Sequence, residues 1–154
     1  MSGRLRALAR SWLAQPAWLR WLAVVAAMAW IWYESARPPR LPGGGAFRSL
    51  GQNALHVPAF GGVAVLWYFA LPPRPWRARS AVLAALAYGI VDEVHQSFTP
   101  GRVASWTDVL SDLTGALLGV SLLLWILEHH PRARRMALTM LPVAMAAIVI
   151  ATLV

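Results

Sequence analysis

Apolar and polar residues fall in blocks along this chain rather than alternating at close intervals. Five long apolar runs, 18–33, 54–71, 80–98, 106–127 and 136–154, are separated by segments in which Arg, Pro and Gly collect. A helix crossing the hydrocarbon core of a bilayer needs about 20 residues, with a range of about 17–25. The second, fourth and fifth runs meet that length directly. The first does so if it begins near Leu13, with Arg20 reaching back to the interface. The third is uninterrupted only over 81–91, so a crossing helix there must continue through polar residues. The pattern predicts an all-α protein, a polytopic transmembrane helix bundle of about five spans: a four-span core plus a C-terminal span.

The first run has the Arg-rich start of a secretory leader, but its end, WIWYESARPP, places Glu34, Trp and Tyr where a cleavage site needs small residues. An uncleaved span is the better reading. The Pro- and Gly-rich segment that follows suits an irregular connector. Its Gly43–Gly45 run lacks the GK[ST] of a phosphate-binding loop.

Composition agrees with the pattern: 58% of residues are apolar, 13% are charged, and the mean hydropathy is +0.54. Nine Trp are many for 154 residues, and Trp favours the membrane–water interface. The net charge of +8 comes from fourteen Arg and no Lys, set in short clusters between apolar runs. Such clusters read as topology signals rather than a nucleic-acid surface, so no nucleic-acid partner is expected. The absence of Cys removes thiolate nucleophiles and thiolate metal ligands.

Arg counts orient the spans through the positive-inside bias. With the N-terminus in the cytoplasm, ten Arg lie inside and four (Arg37, Arg40, Arg48 and Arg102) outside. This arrangement carries Glu34, His56, the 92–102 stretch, Asp108 and Asp112 to the outer face. The chain has six acidic residues, and four of them, Asp92, Glu93, Asp108 and Asp112, fall within 21 positions. A third helix starting near Arg79 ends near Phe98, which holds Asp92, Glu93, His95 and Gln96 at membrane depth. An acid there is costly unless it faces the bundle interior or a wet cavity.

Helical spacing brings Asp92 and Gln96 to one face, and Asp108 and Asp112 to another. Arg102, after the Pro100–Gly101 turn, is the expected counter-charge, and Ser105 the expected N-cap of the fourth helix. Ser111, Gly115 and Gly119 repeat every four residues, a small-residue stripe that predicts close helix–helix contact. His56 sits at the start of the second span, beside Pro58, Gly61 and Gly62.

The run DEVHQSFTPGR, with Ser105, Asp108 and the DLTGALLG segment after it, resembles the VanZ-like family of small bacterial membrane proteins. His56 near a second span and ESARPP after the first are similar to that family as well. Asp112 stands where the family pattern has Asn, and Val57 follows His56 where an aromatic residue is expected. The resemblance implies a multi-pass protein of the bacterial inner (plasma) membrane, in a family whose named member is associated with resistance to teicoplanin-type glycopeptides. With it, the chain divides into a cytoplasmic Arg-rich arm (1–17), a VanZ-like four-helix core (18–127), a cytoplasmic connector (128–135) and a C-terminal span (136–154).

Three readings of the polar residues stay open. In the first, Arg102, Gln96, Asp92, Glu93, Ser105, Asp108, Asp112 and His56 line an outward pocket that binds a membrane lipid head group or lipid-linked cell-wall precursor, with Arg102 taking a phosphate or carboxylate. In the second, the protein is a membrane-embedded enzyme acting on such a lipid, with Glu93 and His56 as acid/base candidates. Asp92, Glu93, His95, Asp108 and Asp112 have the ligand chemistry for a divalent ion, but no HExxH-type motif is present; no metal and no cofactor are assigned. In the third, the residues form a self-satisfied polar knot that fixes helix packing. His129 and His130 read as part of the connector.

Overall fold

The computed structural model describes residues 2–37, 45–100, 102 and 104–153. Its described residues form six α-helices and no strand: α1 (Ser2–Leu13), α2 (Ala17–Ser35), α3 (Gly45–Ala70), α4 (Arg77–Gln96), α5 (Trp106–Glu128) and α6 (Pro131–Leu153). Gly101, in the turn expected after Pro100, lies outside the described residues, as does the whole of the 38–44 connector.

Helix ends follow local chemistry. Pro16 separates α1 from α2, because its ring blocks a continuous helix through this point. The first long helix therefore begins at Ala17 rather than near Leu13, and the Arg-rich arm is itself largely helical. Nothing between Gly45 and His56 stops a helix, so α3 starts nine residues ahead of the apolar run. His56 accordingly lies in its interior instead of its first turns. At the other end of the chain, His129 adopts a left-handed conformation (φ 52°) and closes α5, its backbone N–H donating to Trp125. Pro131 then opens α6 in the first-turn position that tolerates it. The expected 128–135 connector shrinks to a two-residue link, since α6 takes up residues 131–135.

Polar contacts at the two ends show that α2, α3, α4 and α5 run alternately up and down. At one end, Arg20 at the start of α2 donates to the Phe69 carbonyl at the end of α3 (3.3 Å). Tyr68 donates from the end of α3 to Glu128 at the end of α5 (3.0 Å), and Arg77 at the start of α4 donates to the Tyr68 carbonyl. Arg6 of α1 contacts His129 at the same end. At the other end, the last turns of α2 and α4 meet the first half of α5 and the middle of α3. The largest helix–helix interfaces join α5 to α3 and to α6. Val63, Ala64, Ala81, Ala85, Ala116 and Val120 form the apolar centre.

The closest approach is between α3 and α5. A Cβ on Gly115 would stand 2.4 Å from the Val57 carbonyl oxygen, and one on Gly119 2.5 Å from that of Gly61. Only residues without a Cβ allow backbones to come this near. The α3–α5 spacing is thus set by two glycines of the Ser111–Gly115–Gly119 stripe.

Polarity is distributed inside out for a protein in water. Asp112, Asp92, Ser111 and Thr107 are fully buried, whereas Phe98, Trp106, Trp30 and Leu153 face outward. Large exposed apolar residues cover α2, α4 and α6. Two helices, α5 and α6, are long and apolar enough to cross a membrane by length and composition. A five-span bundle therefore goes beyond that test. Arg20, Glu34 and four Trp dilute α2, and α4 carries Arg77, Arg79, Asp92 and Glu93.

Candidate functional site

The glycine contacts that draw α3 and α5 together also place His56 against Asp112. Val57 follows His56, and Gly115 lies one turn below Asp112 on the same helix. The His56 Nδ1 to Asp112 Oδ1 distance is 2.8 Å. Asp112 is entirely buried, and Gly89 of α4 makes room for it: a Cβ there would meet Asp112 Oδ2 at 2.6 Å.

The last turns of α4 supply a second layer. Asp92 accepts from Ser35 Oγ at the end of α2 (2.8 Å) and from Gln96 Nε2 (2.9 Å). Gln96 Nε2 also donates to Glu93 Oε1 (3.1 Å), and the Ser105 backbone N–H donates to Glu93 Oε2 (2.8 Å). The two carboxylates are thereby fixed by different helices, Asp92 by α2 and Glu93 by the start of α5. Ser105 caps α5, its Oγ accepting from the Thr107 N–H (3.2 Å). Asp108 occupies the first turn of α5, where the helix dipole favours a negative charge.

Arg102 departs from its expected role as counter-charge. Its Nε donates to the Arg37 carbonyl (3.0 Å), NH2 to the Glu34 carbonyl (3.1 Å) and NH1 to Gln96 Oε1 (3.0 Å). The Glu34 carbonyl in the last turn of α2 also accepts from the Arg37 N–H (3.2 Å), and the guanidinium fork adds a second donor to it while holding the Arg37 carbonyl just beyond the helix. Among the described residues, Arg102 makes no contact ion pair with a carboxylate, whereas Arg37 pairs with Glu34 (3.6 Å).

Asp92, Glu93, Gln96, Arg102, Ser105, Asp108, Asp112 and His56 therefore all lie at one end of the bundle. His95 faces away from them and stacks on Trp32, ring centroids 3.6 Å apart. His56, Glu93 and Asp108 each offer a ligand atom within 4.8 Å of the others, a spacing suited to a metal ion. Two residues of this region are absent from the candidates read in sequence. Ser35 gives no signal beyond its place in ESARPP. Gly89 does give one, since a glycine inside an apolar helix costs about 1 kcal/mol relative to Ala and asks for a reason.

The described residues are all helical, bury polar groups at one end and turn apolar side chains outward, and two helices are long and apolar enough to cross a membrane, a combination that fits a membrane protein. The sequence model of the VanZ/LLP1 family matches residues 9–127, and the chain belongs to that family. The match takes in α2, α3 and α4 and nearly all of α5, and leaves α6 outside. No curated protein and no solved structure matches the chain.

Proposed function

We propose that this protein spans the bacterial plasma membrane five times, through α2 to α6, and binds a phosphate-bearing lipid head group or lipid-linked cell-wall precursor at its polar end. In this reading the N-terminal arm is cytoplasmic and the polar end faces outward. The Arg distribution supports the orientation. The Trp positions support the crossing of α2 and α4: exposed Trp18, Trp21 and Trp76 lie at one end, exposed Trp30, Trp32 and Trp106 at the other. Trp18 and Trp32 are separated along α2 by about 21 Å at 1.5 Å per residue, which places their rings toward opposite ends of the helix.

The observation that carries the binding reading is the convergence of His56, Glu93 and Asp108 from three helices, with buried Asp112 and Gln96 behind them. A structural knot closes its own hydrogen bonds, whereas Asp92, Asp108 and Asp112 each keep a buried carboxylate oxygen with no partner. Arg102 serves this site as a strap on α2, with two of its five N–H donors left for a ligand.

Native mass spectrometry of the protein extracted with its own lipids tests the proposal. A retained stoichiometric phospholipid or polyprenyl phosphate, lost in Glu93→Gln with the fold intact, is the expected result. A folded wild-type protein free of bound lipid contradicts it. The same three side chains suit acid/base chemistry on a phosphate ester, and turnover of the retained lipid by wild type but not by Glu93→Gln would make the protein an enzyme.

A further inference from the structure

Among the described residues, the interior of the polar end holds more negative than positive groups. Asp92, Glu93, Asp108 and Asp112 stand there, and the nearby guanidinium of Arg102 is directed at Gln96 and two backbone carbonyls. Three carboxylate oxygens, Asp92 Oδ1, Asp108 Oδ1 and Asp112 Oδ2, are buried without a hydrogen bond. Burying a charge in this way is costly unless a proton or a cation neutralises it. An anionic ligand such as a phosphate meets the same surplus, so binding one here calls for a cation.

The geometry identifies where a cation fits. His56, Glu93 and Asp108 present one ligand atom each within 4.8 Å of one another. His56 Nδ1 is engaged with Asp112 Oδ1 at 2.8 Å, which leaves Nε2 as the nitrogen free to coordinate. A carboxylate behind an imidazole is the usual support of a metal-ligating His, fixing both ring orientation and tautomer. Glu93 is held in the same manner, by Gln96 Nε2 and the Ser105 N–H, each taking one lone pair and leaving others open. Asp108 completes the set from the first turn of α5 with one carboxylate oxygen, and its Oδ1 is buried without a hydrogen bond.

We infer that His56, Glu93 and Asp108 form a site for one divalent transition-metal ion, with Asp112 positioning His56. One imidazole and two carboxylates suit Zn²⁺ or Mn²⁺, and the two carboxylates balance the charge of the ion. Ligand bonds of about 2.0–2.2 Å are reached from the present spacing by small side-chain rotations. Three protein ligands leave positions open for water or for an oxygen of a phosphate. That last step rests on the lipid-binding reading above; metal binding itself does not.

The test is a titration of detergent-purified, chelator-treated protein with Zn²⁺ and with Mn²⁺, by calorimetry and, for Mn²⁺, by electron paramagnetic resonance. One ion per chain is expected for at least one of the two metals. Glu93→Gln and Asp108→Asn should abolish it, and Asp112→Asn should weaken it by about 10–100-fold as loss of an outer-shell partner does. Glu128→Gln, at the opposite end of the bundle, should keep it. A monodisperse, helical wild-type protein that takes up neither ion overturns the site, as does uptake unchanged in both ligand variants, which would mark an adventitious ion only. Native mass spectrometry before and after chelation separates the two proposals. Metal uptake with no lipid leaves the metal site standing and removes the lipid reading. Lipid retained equally without metal removes the metal–phosphate link.

Discussion

His56 Nδ1 on α3 and Asp112 Oδ1 on α5 lie 2.8 Å apart, and this pair joins the two helices that approach most closely. Asp112 is fully buried while the His56 side chain keeps some exposure, so the pair has an inner anionic end and an outer imidazole end. Removing one partner strands the other. Asp112→Ala and His56→Ala should each destabilise the protein, and the double variant should lose less than the sum. The coupling expected for contacting residues is about 0.5–3 kcal/mol. Additive losses in detergent unfolding would show that the two side chains do not support one another.

The glycine contacts allow a sharper test of packing. Ala at position 115 or 119 must push α3 away, since the added methyl meets backbone rather than a movable side chain. Overpacking of this kind typically costs about 1–3 kcal/mol. Gly62, whose Cβ position has nothing within 4 Å, is the control, and Gly62→Ala should be neutral or slightly stabilising. Thermal melts of the three variants check the ranking.

Gly89→Ala reaches the site through a different helix. Its methyl would collide with the Asp112 carboxylate at 2.6 Å, forcing it off His56. The variant should therefore weaken metal binding as expected for Asp112→Asn while its helix content stays unchanged, as circular dichroism would report. Full metal binding in Gly89→Ala would mean that the position of Asp112 is immaterial.

Arg102 secures the end of α2 through the Glu34 and Arg37 carbonyls and secures α4 through Gln96. Lys keeps the charge but lacks the planar fork, so Arg102→Lys should free the end of α2. Faster hydrogen exchange at Ala36 and Arg37, whose N–H groups donate to Trp32 and Glu34, is the expected readout. Exchange equal to wild type would show that charge alone suffices.

Much of this arrangement is legible in the sequence where the signal is local. Asp92, Glu93 and Gln96 at the end of an apolar run fall buried in the last turns of α4, Ser105 announces the start of α5, and three small residues four apart mark the face of α5 whose two glycines lie closest to α3. The rest depends on partners that sequence does not name. Arg102 binds backbone carbonyls, which every residue carries, so its expected pairing with the acids has no local correction. The early start of α3 leaves no trace in an apolar count, because LGQN is polar, yet it holds no Pro and its one Gly costs a helix only about 1 kcal/mol. Gly89 is readable as an anomaly, but only the fold shows that the space it leaves belongs to Asp112.

Side-specific labelling tests the central claim most directly, namely that the polar end of the bundle opens on the outer face of the membrane. The chain has no Cys, so a single introduced Cys is a unique reporter. Phe98, beyond α4 at the polar end, is 80% exposed, and Trp76, before α4 at the opposite end, is 48% exposed. In intact cells a membrane-impermeant maleimide should label Phe98→Cys and should reach Trp76→Cys only after lysis. The reverse pattern, or equal labelling of both, would contradict an outward-facing site.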